Sequence, residues 1–298
     1  MNVAAIDCGT NSVRVLILGP DGRELTRRMQ IVRLGEGVDA TGRLAPAALA
    51  RTQTALAEFA AEIKAVGVAR TRVVATSATR DASNADEFHA MVLATLGVAP
   101  EVVSGDEEAR LAFTGALAGL DVSEPPYLLV DIGGGSTEFV HGSTSVEHAI
   151  STDIGSVRMT ERHLHSDPPE LDEIEAAAAD IGAVVAGALA VVPPGRTLVG
   201  VAGTITTVAA IALGLTAYDR SRIHQARITA EEVRHVTAGL AEMTREQRLG
   251  ITSMHPGRAD VIVGGALILR TIMEQTGAES ILVSEHDILD GIAASLST

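Results

Sequence analysis

Two short stretches of this chain share one layout, and a fold has to accommodate both. Residues 127–140 read YLLVDIGGGSTEFV. Leu128, Leu129 and Val130 run into Asp131 as a buried strand; residues 132–137 turn tightly, and Glu138, Phe139 and Val140 resume a strand. Near the N-terminus, Ala5 and Ile6 lead into Asp7, then Cys8, Gly9, Thr10, Asn11 and Ser12, then the β-branched run from Val13 to Ile17. Asp7 matches Asp131, Gly9 matches Gly133 and Ser12 matches Ser136, all at one constant offset. Glycines lack a Cβ and accept positive φ, so the backbone N–H groups of such a turn can close on an anion. Thr10, Asn11 and Ser12 in the first turn, and Gly133, Gly134, Gly135 and Ser136 in the second, are the candidate phosphate cradle. Asp131 and Glu138 flank the second turn with the hard oxygens a divalent cation prefers. Asp7 reads equally as a second metal contact or as the organiser of its own turn. One glycine turn alone also fits a hairpin that binds nothing. The duplication favours two lobes that hold a phosphate chain and its metal between them.

The 298 residues suffice for two domains, each with its own core. Strand and helix patterns alternate through both halves, as an α/β fold requires. Residues 121–126, with Pro125 and Pro126, make the best linker, which divides the chain into domains 1–122 and 123–298. With 46% hydrophobic residues but only 2% aromatic and no Trp, the core must be built from Ala, Val, Leu and Ile. Helix starts are expected at Pro46 and at three capping-box patterns: Asn84 with Glu87, Ser104 with Glu107, and Thr229 with Glu232. Gly264 and Gly265 inside an apolar helical run point to close helix packing.

A formal net charge of −15 disfavours a general nucleic-acid binder. The lone Cys8 excludes an intramolecular disulfide, suits a reducing cytoplasm, and reads as a small packing residue. No signal peptide is visible, because Asp7 breaks the early apolar run. Residues 197–218 are uncharged, but their glycines and threonines divide them into a strand, a turn and a short helix rather than a membrane span. The histidines form no metal set; His163, His165 and Asp167 lie on a loop without matching partners, and the His286-Asp287 dipeptide reads as incidental.

Seven stretches in order, AAIDCGTNSVRVLI, VVATSATRDASN, VVSGDEEARLAFTGAL, LLVDIGGGSTEFV, VGVAGTITTVAAI, HPGRADVIVGGALIL and ILVSEHDILDGI, resemble the Ppx/GppA phosphatases of the actin-like ATPase superfamily. The resemblance covers nearly the whole chain. It implies two actin-like (ribonuclease H-like) α/β domains with the active site in the interdomain cleft. It also implies hydrolysis of terminal phosphates of inorganic polyphosphate or of the 5′-phosphate of guanosine pentaphosphate. The cofactor implied is Mg²⁺ or Mn²⁺, with a monovalent cation such as K⁺ as a further candidate. A homodimer is implied; the charge and the reading of residues 197–218 leave neither nucleic acid nor membrane as an expected partner. The chain stops before the extra C-terminal helical domain of longer members, which suggests the short form and a preference for short polyphosphate.

The resemblance assigns Glu108, the second Glu of GDEEAR, as the base that activates water, Arg80 as a phosphate clamp, and Asp131 and Glu138 as acidic positions near the metal. Without it, residues 106–108 would complement the dipole of their helix, and Arg80 would pair with Asp81. For Asp106 and Glu107 the dipole reading stands. A kinase would need a second acceptor pocket and a chaperone ATPase a peptide-binding domain, and neither is evident. A silent polyphosphate sensor would be expected to lack Glu108 or Glu138, and both are present.

Overall fold

The duplicated sequence becomes a duplicated sheet. The structure, a computed structural model, describes residues 1–120 and 124–296. Its contacts divide the chain into two units, Met1–Gly115 joined by the C-terminal segment from Asp287, and Ala116–His286. The domain boundary expected at 122/123 lies outside the described residues.

In the first unit, strands β1 (Val3–Cys8), β2 (Ser12–Leu18), β3 (Glu24–Ile31), β4 (Arg70–Ala75) and β5 (Glu101–Val102) assemble in the order β3-β2-β1-β4-β5. The β1-β2-β3 meander is antiparallel, whereas β4 and β5 join in parallel. Successive side chains along a strand face opposite sides. Ala4, Ile6 and Cys8 of β1 and Val13, Val15 and Ile17 of β2 therefore share one face. They cluster with Leu56 and Phe59 of the helix Pro46–Val66 and with Phe88 and Val92 of the helix Ala85–Leu96. Burial raises the Cys8 thiol far above its ordinary range, in keeping with a packing role. The C-terminal helix, Ile288–Ser295, also belongs to this unit, and Arg70 donates to the Leu296 carbonyl just beyond it at 2.9 Å.

In the second unit, β6 (Tyr127–Ile132), β7 (Thr137–Gly142), β8 (Val146–Thr152), β9 (Thr197–Val201), β10 (Arg227–Thr229) and β11 (Ser280–Val283) assemble as β10-β11-β9-β6-β7-β8. An antiparallel meander, β6-β7-β8, again leads into parallel partners, β9 and β11; β10 adds an antiparallel edge. The two sheets share one connectivity, as the repeated turns require. Gly264 and Gly265 lie in the helix Ile262–Thr276 at close helix contacts. A Cβ on Gly264 would stand 2.7 Å from Thr160 Oγ1, and one on Gly265 would stand 2.6 Å from Thr204 Cγ2.

The helix starts differ instructively from expectation. Thr229 and Glu232 form a reciprocal capping box. Ser104 accepts from the Glu107 N–H at 3.2 Å, but the Glu107 carboxylate turns to Arg72 at 2.8 Å. Asn84 makes no cap bond. Its amide is taken by both the N–H and the carbonyl of Leu44, at 2.8 and 3.1 Å, a tertiary pairing that outcompetes the local one. Among the described residues, no helix is long and apolar enough to cross a membrane; residues 197–218 fold as β9 and the helix Ala202–Ala212 with the turn beyond it.

Candidate active site

The two turns have the same internal geometry. Gly9 N–H donates to the Ser12 carbonyl at 3.0 Å, and Gly133 N–H donates to the Ser136 carbonyl at 3.0 Å. What surrounds each turn decides where its remaining amides point. In a trans peptide the carbonyl and the following N–H are antiparallel, so a carbonyl tied to one side sends the next N–H to the other.

In the second unit the carbonyls of Gly133, Gly134 and Gly135 are all tied to the start of the helix Ser156–His163. Ser156 N–H donates to Gly133 at 2.9 Å, Val157 and Arg158 N–H donate to Gly134 at 2.8 and 3.1 Å, and Arg158 Nε donates to Gly135 at 2.8 Å. The orphan amides of that helix start are thereby used by protein rather than by ligand. The N–H groups of Gly134, Gly135 and Ser136 consequently point away from the helix, as a set. Amides presented together in this way can receive an anion. This close seating needs Gly155: a Cβ there would stand 2.4 Å from the Gly134 carbonyl oxygen.

The first unit uses a different support for the same purpose. Gly35 N–H donates to the Thr10 carbonyl at 2.8 Å, and Val32 and Arg33 N–H donate to the Asn11 carbonyl at 3.0 and 2.9 Å. The Asn11 and Ser12 amides are sent the opposite way. The Asn11 side chain is buried, yet both its amide atoms lack a hydrogen-bond partner among the described residues. A buried side-chain amide left unpaired is costly; a phosphate oxygen could accept from its Nδ2, and an ordered water could donate to its Oδ1. Thr10 differs from its neighbours: its hydroxyl is engaged with Ser77 at 2.9 Å. That contact fixes the turn against the short helix Ser77–Asp81, which carries Arg80.

Arg80 reaches the start of the helix Gly105–Ala118. Its Nη1 donates to Glu108 Oε2 at 3.1 Å and to the Val103 carbonyl at 3.1 Å. Glu108, on the helix Gly105–Ala118, is only 7% exposed, which sets it apart from Asp106 and Glu107 on the same turn. Burial raises its carboxyl, Arg80 lowers it, and the charges of Asp7 and Asp81 raise it again, leaving it at about 7. A base poised near the working pH combines an adequate deprotonated fraction with useful basicity. The sign gives a prediction: kcat/KM should rise with pH through about 7 and level off above it, because only the carboxylate accepts a proton. In Arg80→Ala that limb should move to higher pH, since Arg80 lowers the pKa. A pH–rate profile checks both, and a limb at an ordinary carboxylate value would exclude Glu108 as the base.

The cross-strand register exposes an asymmetry between the repeats. Asp7 is paired with Arg14, whereas Asp131 is paired with Glu138. Arg14 holds Asp7 Oδ2 through Nε at 2.9 Å and Nη2 at 2.6 Å, and its Nη1 holds Asp287, the N-cap of the C-terminal helix. Burial opposes the Arg14 charge, and the two carboxylates overcome it. Burial also raises the Asp7 carboxyl, against the pull of Arg14. Asp7 Oδ1 is buried without a hydrogen-bond partner among the described residues. Asp7 is thus organised by Arg14, with one oxygen left for a water or a cation.

Asp131 and Glu138 are both buried, and opposed strand positions bring their side chains onto one face. Ser151 donates to Glu138 Oε1 at 2.7 Å. Among the described residues no group of three or more His, Cys, Asp or Glu is arranged to enclose a metal ion. A pair of carboxylates without His or Cys fits Mg²⁺ or Mn²⁺, which can keep several waters, and does not fit a structural zinc.

Sequence reasoning missed Arg14, Ser77, Ser151, Arg158 and Asp287. Arg14 had a signal, since it occupies the position equivalent to Glu138 at the offset that relates the two turns. Asp287, set aside with His286, proves to be an Arg14 partner and a helix cap.

Comparisons with known proteins agree on one family. The Ppx/GppA phosphatase family matches residues 21–297. An exopolyphosphatase 2 of Mycobacterium tuberculosis is 48% identical, over 99% of this chain and 98% of its own. The crystal structure of the Aquifex aeolicus Ppx/GppA family member superposes with a TM-score of 0.83 at 32% identity, covering 99% of this chain and 97% of that one. An exopolyphosphatase structure from Cytophaga hutchinsonii gives a TM-score of 0.91 at 25% identity, over 100% and 98% of the two chains.

Proposed function

The chain belongs to the Ppx/GppA phosphatase family, with its actin-like two-domain fold, and from that premise we propose that it is an exopolyphosphatase. It would release orthophosphate from the end of inorganic polyphosphate by direct attack of water. The observation that carries the reading is Glu108, a buried carboxylate with a pKa of about 7 held beside the guanidinium of Arg80. The full-length similarity to an exopolyphosphatase supports the substrate class.

In the chemistry, a water oxygen bonds to the terminal phosphorus as the bridging P–O bond breaks, and Glu108 takes the water proton. The leaving group is a polyphosphate shorter by one phosphate. Arg80, once a phosphate oxygen arrives, can hold it through its planar fork. Asn11 and Ser12 offer further donors in the first unit, with Thr10 fixing their turn. In the second unit the amides of Gly134, Gly135 and Ser136 are assigned phosphate oxygens, and Gly133 closes the turn. Asp131 and Glu138 are the residues assigned to Mg²⁺ or Mn²⁺, which would neutralise charge on the phosphate chain. Guanosine pentaphosphate hydrolysis is the alternative activity within the family, and a monovalent cation such as K⁺, a homodimer and a cytoplasmic setting belong to the proposal.

The deciding experiment measures phosphate release from polyphosphates of defined length, guanosine pentaphosphate and ATP, with and without Mg²⁺. Polyphosphate should be the best substrate, and preference for the pentaphosphate would move the chain to the other activity of its family. The metal assignment has its own test. Asp131→Asn and Glu138→Gln should each raise the Mg²⁺ concentration needed for half-maximal rate, with the thermal melt preserved. Wild-type metal dependence in both variants would make these carboxylates structural.

A further inference from the structure

The second sheet has two ends, and the proposed chemistry uses only one. At the other end, where β6, β9 and β11 begin, lies a cavity of about 330 Å³. None of the residues assigned above lines it. Strand β6 connects the two places: Leu128 lines the cavity, and the six-residue strand ends at Ile132 beside the glycine turn. A strand of that length spans ~20 Å, so the cavity is separate from the turn.

The cavity has a definite chemical character. Arg196 and Arg227 line it, and neither guanidinium has an ion-pair or hydrogen-bond partner among the described residues. Most arginines of this chain are ion-paired, and the chain as a whole is strongly acidic, so two unpaired cations at one concavity reverse the local charge. Ser280, at the start of β11, adds a hydroxyl. Glu279 adds one carboxylate on the same wall. The scaffold is regular structure. Gly195 presses against β6, where a Cβ would stand 2.2 Å from the Leu128 nitrogen, and this seats Arg196 next to β9. Gly277, at a φ of 67°, ends the helix Ile262–Thr276 and turns the chain so that Glu279 and Ser280 reach the cavity.

We propose that this cavity binds a small phosphate monoester. The phosphate dianion would lie on Arg196 and Arg227, whose forked donors match its oxygens. Glu279 would accept from a hydroxyl of the organic part, and Pro194 and Ala278 give that part an apolar wall. The volume is that of a pocket for a small organic ligand. Glu279 also sets selectivity, because a bare polyanion brings no donor for it and is repelled.

The test is calorimetric titration of the full chain in EDTA with ribose 5-phosphate, glycerol 3-phosphate, orthophosphate and tripolyphosphate. We expect a saturable site for at least one monoester. Removing each arginine should weaken it about tenfold, so Arg196→Ala combined with Arg227→Ala should weaken it by about a hundredfold. That double variant should keep polyphosphate turnover within about twofold of wild type. Glu279→Gln should weaken the monoester and strengthen orthophosphate. The proposal is overturned if neither monoester binds at millimolar concentration, if the double variant binds as wild type, or if Arg80→Ala abolishes the binding instead. Failure of polyphosphate hydrolysis itself would leave this titration interpretable, since it needs no turnover.

Discussion

Glu108→Gln should lower turnover on polyphosphate by about 10²–10⁴, the usual contribution of a positioned general base. The substitution keeps side-chain size and leaves an oxygen to accept from Arg80, so the ion pair becomes a neutral hydrogen bond without loss of packing. KM should change little, because phosphate binding is assigned to Asn11, Ser12, Arg80 and the second turn. Stability should move the other way. The Glu108 carboxyl is raised in the folded state, so its neutral form favours folding at low pH, and that advantage is lost as pH rises through about 7. Above that pH the buried charge opposes folding, by at most about 3 kcal/mol. Thermal melts should therefore show Glu108→Gln more stable than wild type at pH 8, with the gap closing by pH 5. Glu107→Gln, whose parent carboxylate pairs with Arg72 at an exposed position, is the control and should leave turnover intact. Equal losses in the two variants would mean that the base is misassigned.

The parts legible in the sequence were those that depend on neighbours in the chain. A strand, an Asp, a turn glycine and a hydroxyl are enough to specify each turn, so the duplication could be read directly, while the order of strands in each sheet could not. Other features depend on distant partners. Asn84 has the residue type of a helix cap but is claimed by Leu44, forty positions away. The C-terminal helix lies at the far end of the chain from β1 and β2, yet Asp287 and Asp290 at its start are held by Arg14 and Arg27. The strand β8, VEHAIST, mixes polar and apolar residues as an edge strand does, and its pattern stood out too weakly to be found. Glu108 and Glu107 are adjacent and identical in type. Only burial separates a carboxyl near 7 from an exposed partner of Arg72.

The two repeats have kept the backbone of the turn and divided its charges. In the second, a carboxylate pair, Asp131 and Glu138, concentrates negative charge where a cation can neutralise it. In the first, Arg14 takes the equivalent place and supplies the cation covalently. Charge division of this kind cannot be inferred from turn geometry, which is the same in both copies.

The amides of Gly134, Gly135 and Ser136 are aimed from behind, and Gly155→Ala should show it. The added methyl would stand 2.4 Å from the Gly134 oxygen, 2.5 Å from the Gly134 carbonyl carbon and 2.6 Å from that of Gly135. All three are backbone atoms, so the turn or the helix Ser156–His163 has to move. Overpacking of this sort destabilises by roughly 1–3 kcal/mol, which a two-domain chain of this size can survive. The effect on activity should be larger in proportion. Donors displaced by about 1 Å can lose about 10² in rate, so kcat/KM for polyphosphate should fall by about that factor while Glu108 and Arg80 are untouched. Gly187→Ala is the matched control: it lies in the helix Leu171–Leu189 with nothing within 4 Å of a new Cβ, and it should stabilise by roughly 0.5–1 kcal/mol. If Gly155→Ala melts a few degrees lower but keeps wild-type kcat/KM, the helix start does not aim the turn, and the phosphate assignment of residues 133–136 loses its structural support.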